Sequence, residues 1–335
     1  MKCINFAVVG GGHIGKRHAE IINKNPLAAL TAVVDPDSDK TELFRKQGVR
    51  VFQDLTACLE AGLDIDVINI AAPNGLHASL AIAALKAGKH VVIEKPMTLS
   101  KADAEEIVSL STQVDRRIFV VMQNRYSPPS VWLKNIVEEG RLGKLYMLQL
   151  NCYWNRDQRY YLPGSWRGTQ KFDGGVLYTQ FSHFIDIMFW LFGDIEHIHS
   201  RFYNFNHAGL TEFNDSGLVT FDFCSGGSGV LSFSTAVWDK NLESSITIIG
   251  EKGSVRVGGQ YMDKVEYCHI RDYVLPELAP TNPGNDYGAF KGSAQNHHLI
   301  IENVIDVLNG KSDVTTNALE GMKVVDIIER IYKAG

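Results

Sequence analysis

Through residue 122 the chain alternates short apolar blocks with stretches of helical spacing. Residues 4–9 form an apolar run ended by glycines, residues 14–25 carry apolar positions at helical spacing until Pro26 stops them, and residues 27–34 are strand-like again. The same grammar continues with a helix over 39–47 closed by Gly48, a strand over 49–52, a helix over 55–61 closed by Gly62 and a strand over 66–71. Pro73-Asn74-Gly75 breaks the chain, a helix over 77–87 closed by Gly88 follows, and the apolar run His90-Val91-Val92-Ile93 stops in Glu94-Lys95-Pro96. Ser100 with Asp103 forms a capping box for a helix to about Thr112, and residues 118–122 are the last strand of the series. Strands that alternate with helices need crossovers, so this part is expected to be a doubly wound α/β domain with about six parallel strands.

After residue 122 the periodicity changes. One helix (130–139), a long alternating strand (144–154), a polar aromatic loop and a second helix (175–192) come first. From 195 to about 270 strand then follows strand through turns such as Ser225-Gly226-Gly227-Ser228 and Glu251-Lys252-Gly253. Consecutive strands of this kind need no crossover, which predicts an α+β domain with an open, mostly antiparallel sheet. One face of such a sheet is available as the interface of a homodimer or homotetramer. Residues 276–294, rich in Pro, Gly and Asn, are expected to be a loop, and helices over 295–308 and 318–332 end the chain. The expected domains are 1–122 and 123–335, since 335 residues supply two cores more readily than one.

Composition narrows the function classes. With 45% hydrophobic and 21% charged residues and a formal net charge of -5, the chain is an ordinary globular protein without a basic surface for nucleic acid. Cys3, Cys58, Cys152, Cys224 and Cys268 contain no close pair, so neither a metal site nor a redox motif is expected, and they fit the thiols of a reducing cytoplasm. Lys2 and the run after it superficially resemble a leader, but Gly10 to Gly12 end that run and a charged helix follows. The longest later apolar stretch, 184–192, is interrupted by Asp186 and falls short of the roughly 20 residues that span a bilayer, so no membrane segment is expected.

Candidate chemistry begins at Gly10-Gly11-Gly12-His13-Ile14-Gly15, which fits G-x-G-x-x-G. Its first glycine makes the turn, the second admits a pyrophosphate and the third lets helix and strand pack closely. Asp35 ends the next strand, where an acid holds a ribose hydroxyl. Its carboxylate would repel a 2′-phosphate and no arginine follows in Pro36-Asp37-Ser38, so NAD is expected over NADP. Asn74 and His77 stand near the same sheet edge; for His77 a ligand-side role and a helix-start histidine bonded to backbone both stay open. Glu94-Lys95-Pro96 puts a carboxylate and an ammonium at the carboxyl edge of the sheet, where open α/β folds bind ligands, and proline restricts the direction of Lys95.

On the helix over 175–192, Thr179, His183 and Asp186 are spaced by four and three, which puts them on one face and offers His183 a carboxylate neighbour. Such an imidazole exchanges protons near neutral pH, as oxidation of an alcohol requires when hydride leaves for nicotinamide. Lys95 can share the task by stabilising alkoxide character, with burial lowering its pKa from about 10.4, and spacing does not decide which of the two takes the proton. The loop from Tyr160 through Trp166 and Arg167 to Gly168 adds aromatic faces and a guanidinium suited to a sugar, a base or a phosphate.

Taken together, the Gly10 to Gly15 turn, Ala72-Pro73-Asn74 with His77, Glu94-Lys95-Pro96, and Gly174-Gly175 followed by His183 and Asp186 resemble the glucose-fructose oxidoreductase, inositol dehydrogenase and rhizopine-catabolism (Gfo/Idh/MocA) family over essentially the whole chain. The resemblance implies a Rossmann domain followed by an open-sheet α/β domain, an NAD-dependent dehydrogenase acting on CH–OH groups, and catalytic roles for Lys95 and His183. It implies cofactor contacts from Gly10, Gly12, His13, Ile14, Gly15, Asp35, Ala72, Pro73, Asn74, His77, Glu94, Lys95, Trp166 and Arg167.

Within the family the chain is most similar to bacterial UDP-N-acetylglucosaminuronate 3-dehydrogenases of surface-polysaccharide (lipopolysaccharide) biosynthesis. The stretches that carry this are Gln123-Asn124-Arg125, Ser165-Trp166-Arg167-Gly168, Gln180 with Ser182-His183, and Lys240-Asn241-Leu242-Glu243 leading to Gly250-Glu251-Lys252-Gly253. That likeness implies a UDP-sugar substrate held by Lys95, Gln123, Asn124, Arg125, Tyr160, Thr179, His183 and Asn241, with 2-oxoglutarate a candidate acceptor for regenerating NAD. In the inositol and glucose branches an aspartate precedes the histidine by four residues. Here Thr179 stands in that place, which makes a histidine–carboxylate pair depend on Asp186 and argues against an inositol-type substrate. A dehydrogenase of a free sugar or polyol, and a non-catalytic NAD-binding regulatory protein, are the alternatives.

Overall fold

The apolar runs of the first third become six strands: β1 (Ile4–Val9), β2 (Ala28–Val34), β3 (Arg50–Phe52), β4 (Val67–Ile70), β5 (His90–Ile93) and β6 (Ile118–Val120). They form one sheet in the order β3-β2-β1-β4-β5-β6, with every neighbouring pair parallel. The crossovers are α1 (His13–Lys24), α2 (Ser38–Lys46), α3 (Leu55–Glu60), α4 (His77–Lys86) and α5 (Lys101–Gln113). Helices on both faces explain why the strands read as continuous apolar runs: Phe6, Val8, Ile68, Ile70, Val91 and Ile93 are all fully buried. Asp54 and Ser100 cap α3 and α5 by accepting backbone N–H bonds, whereas α1 starts at Gly12 with no side-chain cap. Strand order reverses between β1 and β4, so the carboxyl ends of these two strands form the switch point at which such sheets bind ligands. The computed structural model describes residues 1–288 and 290–335.

Beyond β6 come α6 (Pro128–Glu138), β7 (Leu145–Tyr153), α7 (Val176–Thr179), α8 (Ser182–Phe192), β8 (Ile195–Tyr203), β9 (Ser216–Phe223), β10 (Ser228–Ser234), β11 (Glu243–Gly250), β12 (Gly253–Gly258) and β13 (Lys264–Ile270). Their sheet runs β13-β12-β11-β7-β10-β9-β8, antiparallel throughout except where β7 meets β10. Along β7 the period of two is plain, with Leu148 and Leu150 buried and Met147 and Gln149 exposed. Phe181 and Phe184 cover the buried face, meeting Trp154 edge-on. The opposite face leaves Met147, Leu218, Ile249 and Tyr267 open.

Three expectations change. The helix expected over 175–192 is broken into α7 and α8, because Gln180 and Phe181 both donate to Val176 O and the chain turns widely there. That turn sends Phe181 onto Trp154 and Phe233. The loop expected over 276–294 contains a small hairpin, β14 (Gly284–Asp286) with β15 (Lys291–Ala294). The division at residue 122 is also incomplete. The two compact units are residues 1–122 with 297–325, and residues 123–296 with 326–335. α9 (His297–Leu308) therefore belongs to the first unit, as does the start of α10 (Ala318–Lys333). The reason lies at the open edge of β6. Val120 N donates to Thr316 O, Thr316 Oγ1 donates to Val120 O, and Phe119 bridges Asn317, so the returning chain covers an edge that would otherwise expose its backbone groups.

The glycine turn can be tested through stability. A Cβ at Gly15 would lie 1.7 Å from Gly10 O, whereas one at Gly12 would meet nothing within 4 Å. Gly15→Ala is expected to lose about 2–4 kcal/mol of stability through overpacking against backbone, and Gly12→Ala is expected to fold as well as the parent. Urea unfolding of both variants checks this; an unchanged midpoint for Gly15→Ala would show that helix and strand do not approach so closely.

Candidate active site

The turn after β1 leaves the N-terminus of α1 without a side-chain cap or an acidic residue in its first turn, so its backbone N–H groups and positive dipole end are available to an anion. Gly10 adopts a φ of +105°, and a Cβ there would lie 2.4 Å from Ala71 O, which brings the turn against the end of β4. Asp35 crosses from β2 to the same turn. Its Oδ2 accepts the Gly11 N–H at 2.7 Å and its Oδ1 accepts the Asp37 N–H at 2.9 Å. An ionised carboxylate has about four acceptor positions, so the two already filled fix its orientation and leave capacity for ribose hydroxyls. Open space over Gly12, an uncapped helix start and a fixed acid fit the diphosphate and ribose of NAD. Ala72 and Pro73 follow β4, and Asn74, buried, opens a short 3₁₀ turn after them.

His77 is held by backbone carbonyls. Its Nδ1 lies 2.8 Å from Pro96 O and its Nε2 lies 2.9 Å from Ala72 O, so the ring staples the chain after β4 to the corner after β5. Burial lowers its pKa, against the pull of those two carbonyls. Of the two readings that spacing left open, the backbone-bonded histidine is the one in the fold.

Glu94, expected among the cofactor contacts, also turns inward. It is 7% exposed, and its Oε1 accepts a 2.8 Å bond from His18 Nε2 of α1 while His297 Nε2 of α9 lies at 3.6 Å. Asn69 Nδ2 of β4 holds the other His18 nitrogen at 2.9 Å, and Lys95 N donates to Glu94 Oε2 at 3.2 Å. Burial would raise the carboxyl pKa, but the bond from His18 opposes it most strongly and the group is held at about 2. Burial pushes His297 down to about 3. His18 and Asn69 carry no motif of their own, and His297 stands some two hundred residues away in sequence, so spacing offered no signal for this cluster. Lys95 itself is half-buried, and its bond to Pro96 is cis.

In the second unit, Gln123, Asn124 and Arg125 are buried on one short 3₁₀ turn. Gln123 Nε2 lies 3.3 Å from His183 Nε2, which ties the imidazole to that amide. Both polar side-chain atoms of Asn124 are buried without a partner among the described residues, a pattern that suits an incoming polar ligand. Only 2% exposed, Arg125 donates from Nε to Asp186 Oδ2 at 2.8 Å and from Nη2 to Asp186 Oδ1 at 2.5 Å, a buried bidentate ion pair. The Asp186 carboxylate, expected as a neighbour of His183, is thus also bonded to Arg125. Thr179 is likewise turned inward, its hydroxyl donating to Asp173, whose Oδ2 accepts the Gly168 N–H at 2.8 Å. Asp173 was not legible beforehand because it lies in the loop before α7, outside any periodic pattern.

The aromatic loop folds on itself. Tyr160 is buried, its hydroxyl accepts from Gln180 Nε2 at 3.1 Å, and the Arg167 guanidinium stacks on its ring at 4.5 Å. Trp166 and Arg167, expected at the cofactor, are half-buried here, with Trp166 5.5 Å from the same guanidinium. Asn241 is a pin: Oδ1 accepts from Asn155 N and Arg156 Nη1, both at 3.1 Å, and Nδ2 donates to Lys291 O at 3.1 Å. Its amide therefore orders Arg156, a residue the sequence reading did not single out.

The comparisons with known proteins match this geometry. A model described as an oxidoreductase family with an NAD-binding Rossmann fold matches residues 4–122, and that of the GFO/IDH/MocA C-terminal domain matches residues 131–256. The WlbA dehydrogenase from Bordetella pertussis, solved with NADH and UDP-GlcNAcA, is 32% identical, with 100% of this chain and 96% of that chain covered at a TM-score of 0.88. The WlbA dehydrogenase from Chromobacterium violaceum, solved with the same two ligands, is 32% identical, with 100% and 94% covered at 0.89. The 2,7-anhydro-N-acetylneuraminate hydratase of Escherichia coli (strain K12) is 28% identical over 267 residues, 77% of this chain and 68% of that protein. Matched by both domain models and by two relatives of similar fold over its whole length, the chain belongs to the Gfo/Idh/MocA family of NAD-dependent oxidoreductases.

Proposed function

We propose that the chain oxidises a secondary hydroxyl, at C3, of a UDP-linked N-acetylamino sugar acid. The observation that carries this reading is the whole-length similarity to two dehydrogenases solved with NADH and UDP-GlcNAcA. When bound, NAD supplies the hydride acceptor. Gly10, Gly12, His13, Ile14 and Gly15 would hold its diphosphate, Asp35 its ribose, and Ala72, Pro73 and Asn74 the adjoining edge of the sheet. Lys95 and His183 are the acid–base and alkoxide-stabilising groups. The His183 imidazole is suited to receive the hydroxyl proton, and the Lys95 ammonium suits the developing negative charge on oxygen. Gln123 orients the imidazole and Asn124 offers both halves of an amide to the sugar. The open apolar face bearing Met147, Leu218, Ile249 and Tyr267 is the surface we assign to self-association.

The cofactor assignment is tested at Asp35 and Gly12. Asp35→Ala is expected to weaken NAD binding, because the ribose loses its acceptor, and to relieve the repulsion of a 2′-phosphate, so the NAD to NADP affinity ratio falls. Gly12→Ala, folded as above, is expected to bind NAD less well because its methyl occupies the open space over the turn. Fluorescence titration of both cofactors reads each effect; an unaltered ratio in Asp35→Ala removes that residue from the ribose site.

For the chemistry, Lys95→Met and His183→Asn are each expected to retain fold and NAD affinity yet lose turnover by about 100-fold or more, the usual contribution of an acid–base group. Single-turnover hydride transfer measures this, and a near-parental rate in either variant returns that residue to a structural role.

Substrate class is tested by NADH formation, with and without 2-oxoglutarate, from UDP-N-acetylglucosaminuronate, UDP-N-acetylglucosamine, free N-acetylglucosamine, glucose and myo-inositol. Binding energy from the diphosphate helps to position the reacting carbon, so truncated sugars should lose turnover as well as affinity. Highest turnover on glucose or inositol would replace this reading with that of a free-sugar or polyol dehydrogenase.

A further inference from the structure

The short helix α7 begins without a side chain of its own to cap it, because its N-cap is Gly175. Helix nucleation is costly and isolated helices shorter than about 12 residues are marginal in water, so a helix of 4 residues depends on tertiary contacts for its place. The missing acceptor comes from α10. The Tyr332 hydroxyl accepts the Leu177 N–H at 3.0 Å, and its ring stacks on Tyr178 with centroids 5.8 Å apart and planes 27° from parallel. A Cβ at Gly175 would stand 2.6 Å from the Tyr332 hydroxyl, so glycine is dictated there both by its φ of +122° and by that approach. Burial pushes the Tyr332 pKa up, with the Leu177 bond opposing the shift, so the phenol is a neutral cap at any working pH. Tyr332 is in turn fixed by β8: Phe202 packs 5.5 Å from its ring, Ser200 Oγ donates to Ile331 O at 2.9 Å and Arg330 Nη1 donates to Ile195 O at 2.5 Å.

We infer that Tyr332 is a positioning residue for His183: its hydroxyl caps α7 and thereby sets the orientation in which α8 presents the imidazole. The inference rests on the reading of His183 as an acid–base group. A series of backbone bonds carries the effect from one helix to the next. Gln180 N and Phe181 N donate to Val176 O at 2.9 and 3.2 Å, and Phe184 N and Ile185 N donate to Phe181 O at 3.0 and 3.2 Å. The first turn of α8, which holds His183, is therefore bonded back to the turn that Tyr332 caps. On its other side α7 is held by Thr179, whose hydroxyl donates to Asp173. A buried N–H left without an acceptor is costly, so removal of the Tyr332 oxygen makes the Leu177 turn move towards another acceptor instead of staying in place. Tyr332 acts through the two helices and takes no part in the proton transfer.

The test compares the full chain with Tyr332→Phe, Val255→Ala, His183→Asn and Tyr332→Phe/His183→Asn. Tyr332→Phe keeps the ring and removes only the oxygen. Val255→Ala opens a cavity in β12, at the opposite side of the sheet from β8, and serves as the control for lost stability alone. NMR of histidine-labelled protein reads the imidazole without any substrate, the His183 signal being identified by its loss in His183→Asn. That signal and its titration midpoint are expected to move in Tyr332→Phe and to keep their parental values in Val255→Ala, while the Leu177 amide of Tyr332→Phe exchanges about 10-fold faster. Single-turnover hydride transfer from UDP-N-acetylglucosaminuronate to NAD is expected to fall about 10-fold in Tyr332→Phe with NAD affinity unchanged, and the double variant to be no slower than His183→Asn, as when one residue acts through another. An unmoved His183 signal in Tyr332→Phe, an equal displacement in Val255→Ala or a further loss of rate in the double variant overturns the inference. Failure of the underlying reading has a different signature: a near-parental rate in His183→Asn overturns the acid–base role of His183 and the catalytic meaning of Tyr332 with it, whether or not the His183 signal still moves in Tyr332→Phe. If the parent does not oxidise this sugar, the substrate reading falls and the NMR comparison alone decides the inference.

Discussion

A buried carboxylate beside Lys95 is the constraint on which the first unit depends. Glu94 ends the β5 run in an environment that by itself would drive the group neutral, and it stays ionised because His18 donates to it. That bond joins α1, whose start faces the cofactor turn, to the corner that carries Lys95. Asn69 joins β4 to the same imidazole, and His297 brings α9 against it. Together with His77, which staples Ala72 to Pro96, the interior therefore sets the backbone positions from which the ligand-facing groups project. Glu94 and His77, expected among the cofactor contacts, have side chains bonded within the protein.

The second unit is decided by how its cations are compensated. Leaving one member of a buried ion pair alone costs about 3–5 kcal/mol, so Arg125 and Asp186 stabilise each other as a bidentate pair. Among the described residues Arg156 and Arg167 have no carboxylate partner; carbonyls hold Arg156, and ring faces hold both. The same residue type is thus compensated in two different ways a few tens of residues apart.

Much of the architecture was legible because it depends on local patterns. Period-two and continuous apolar runs, glycine and proline stops and Ser or Asp caps are read along the chain, and they located the six parallel strands and the antiparallel sheet. The G-x-G-x-x-G turn is similarly local, since steric room at Gly10 and Gly15 dictates glycine wherever that turn occurs. Asp35 was also legible, as its place at the end of the second strand follows from topology alone. Helix continuity through Gln180 was misread because its sequence is apolar on both sides of the break. What opens the turn is the packing of Phe181 on Trp154 and Phe233, which no window of neighbouring residues contains.

By itself, then, the sequence determined the two sheets and the cofactor turn, because hydrophobic period and backbone sterics act over a few residues. Only tertiary structure decided what each polar side chain is bonded to. Arg125 meets Asp186 across 61 positions, Asn241 reaches Arg156 across 85, and Thr316 closes the edge at Val120 across 196. The free energy of a buried charge depends on the counter-charge within a few ångströms of it, and chain folding alone brings that counter-charge near.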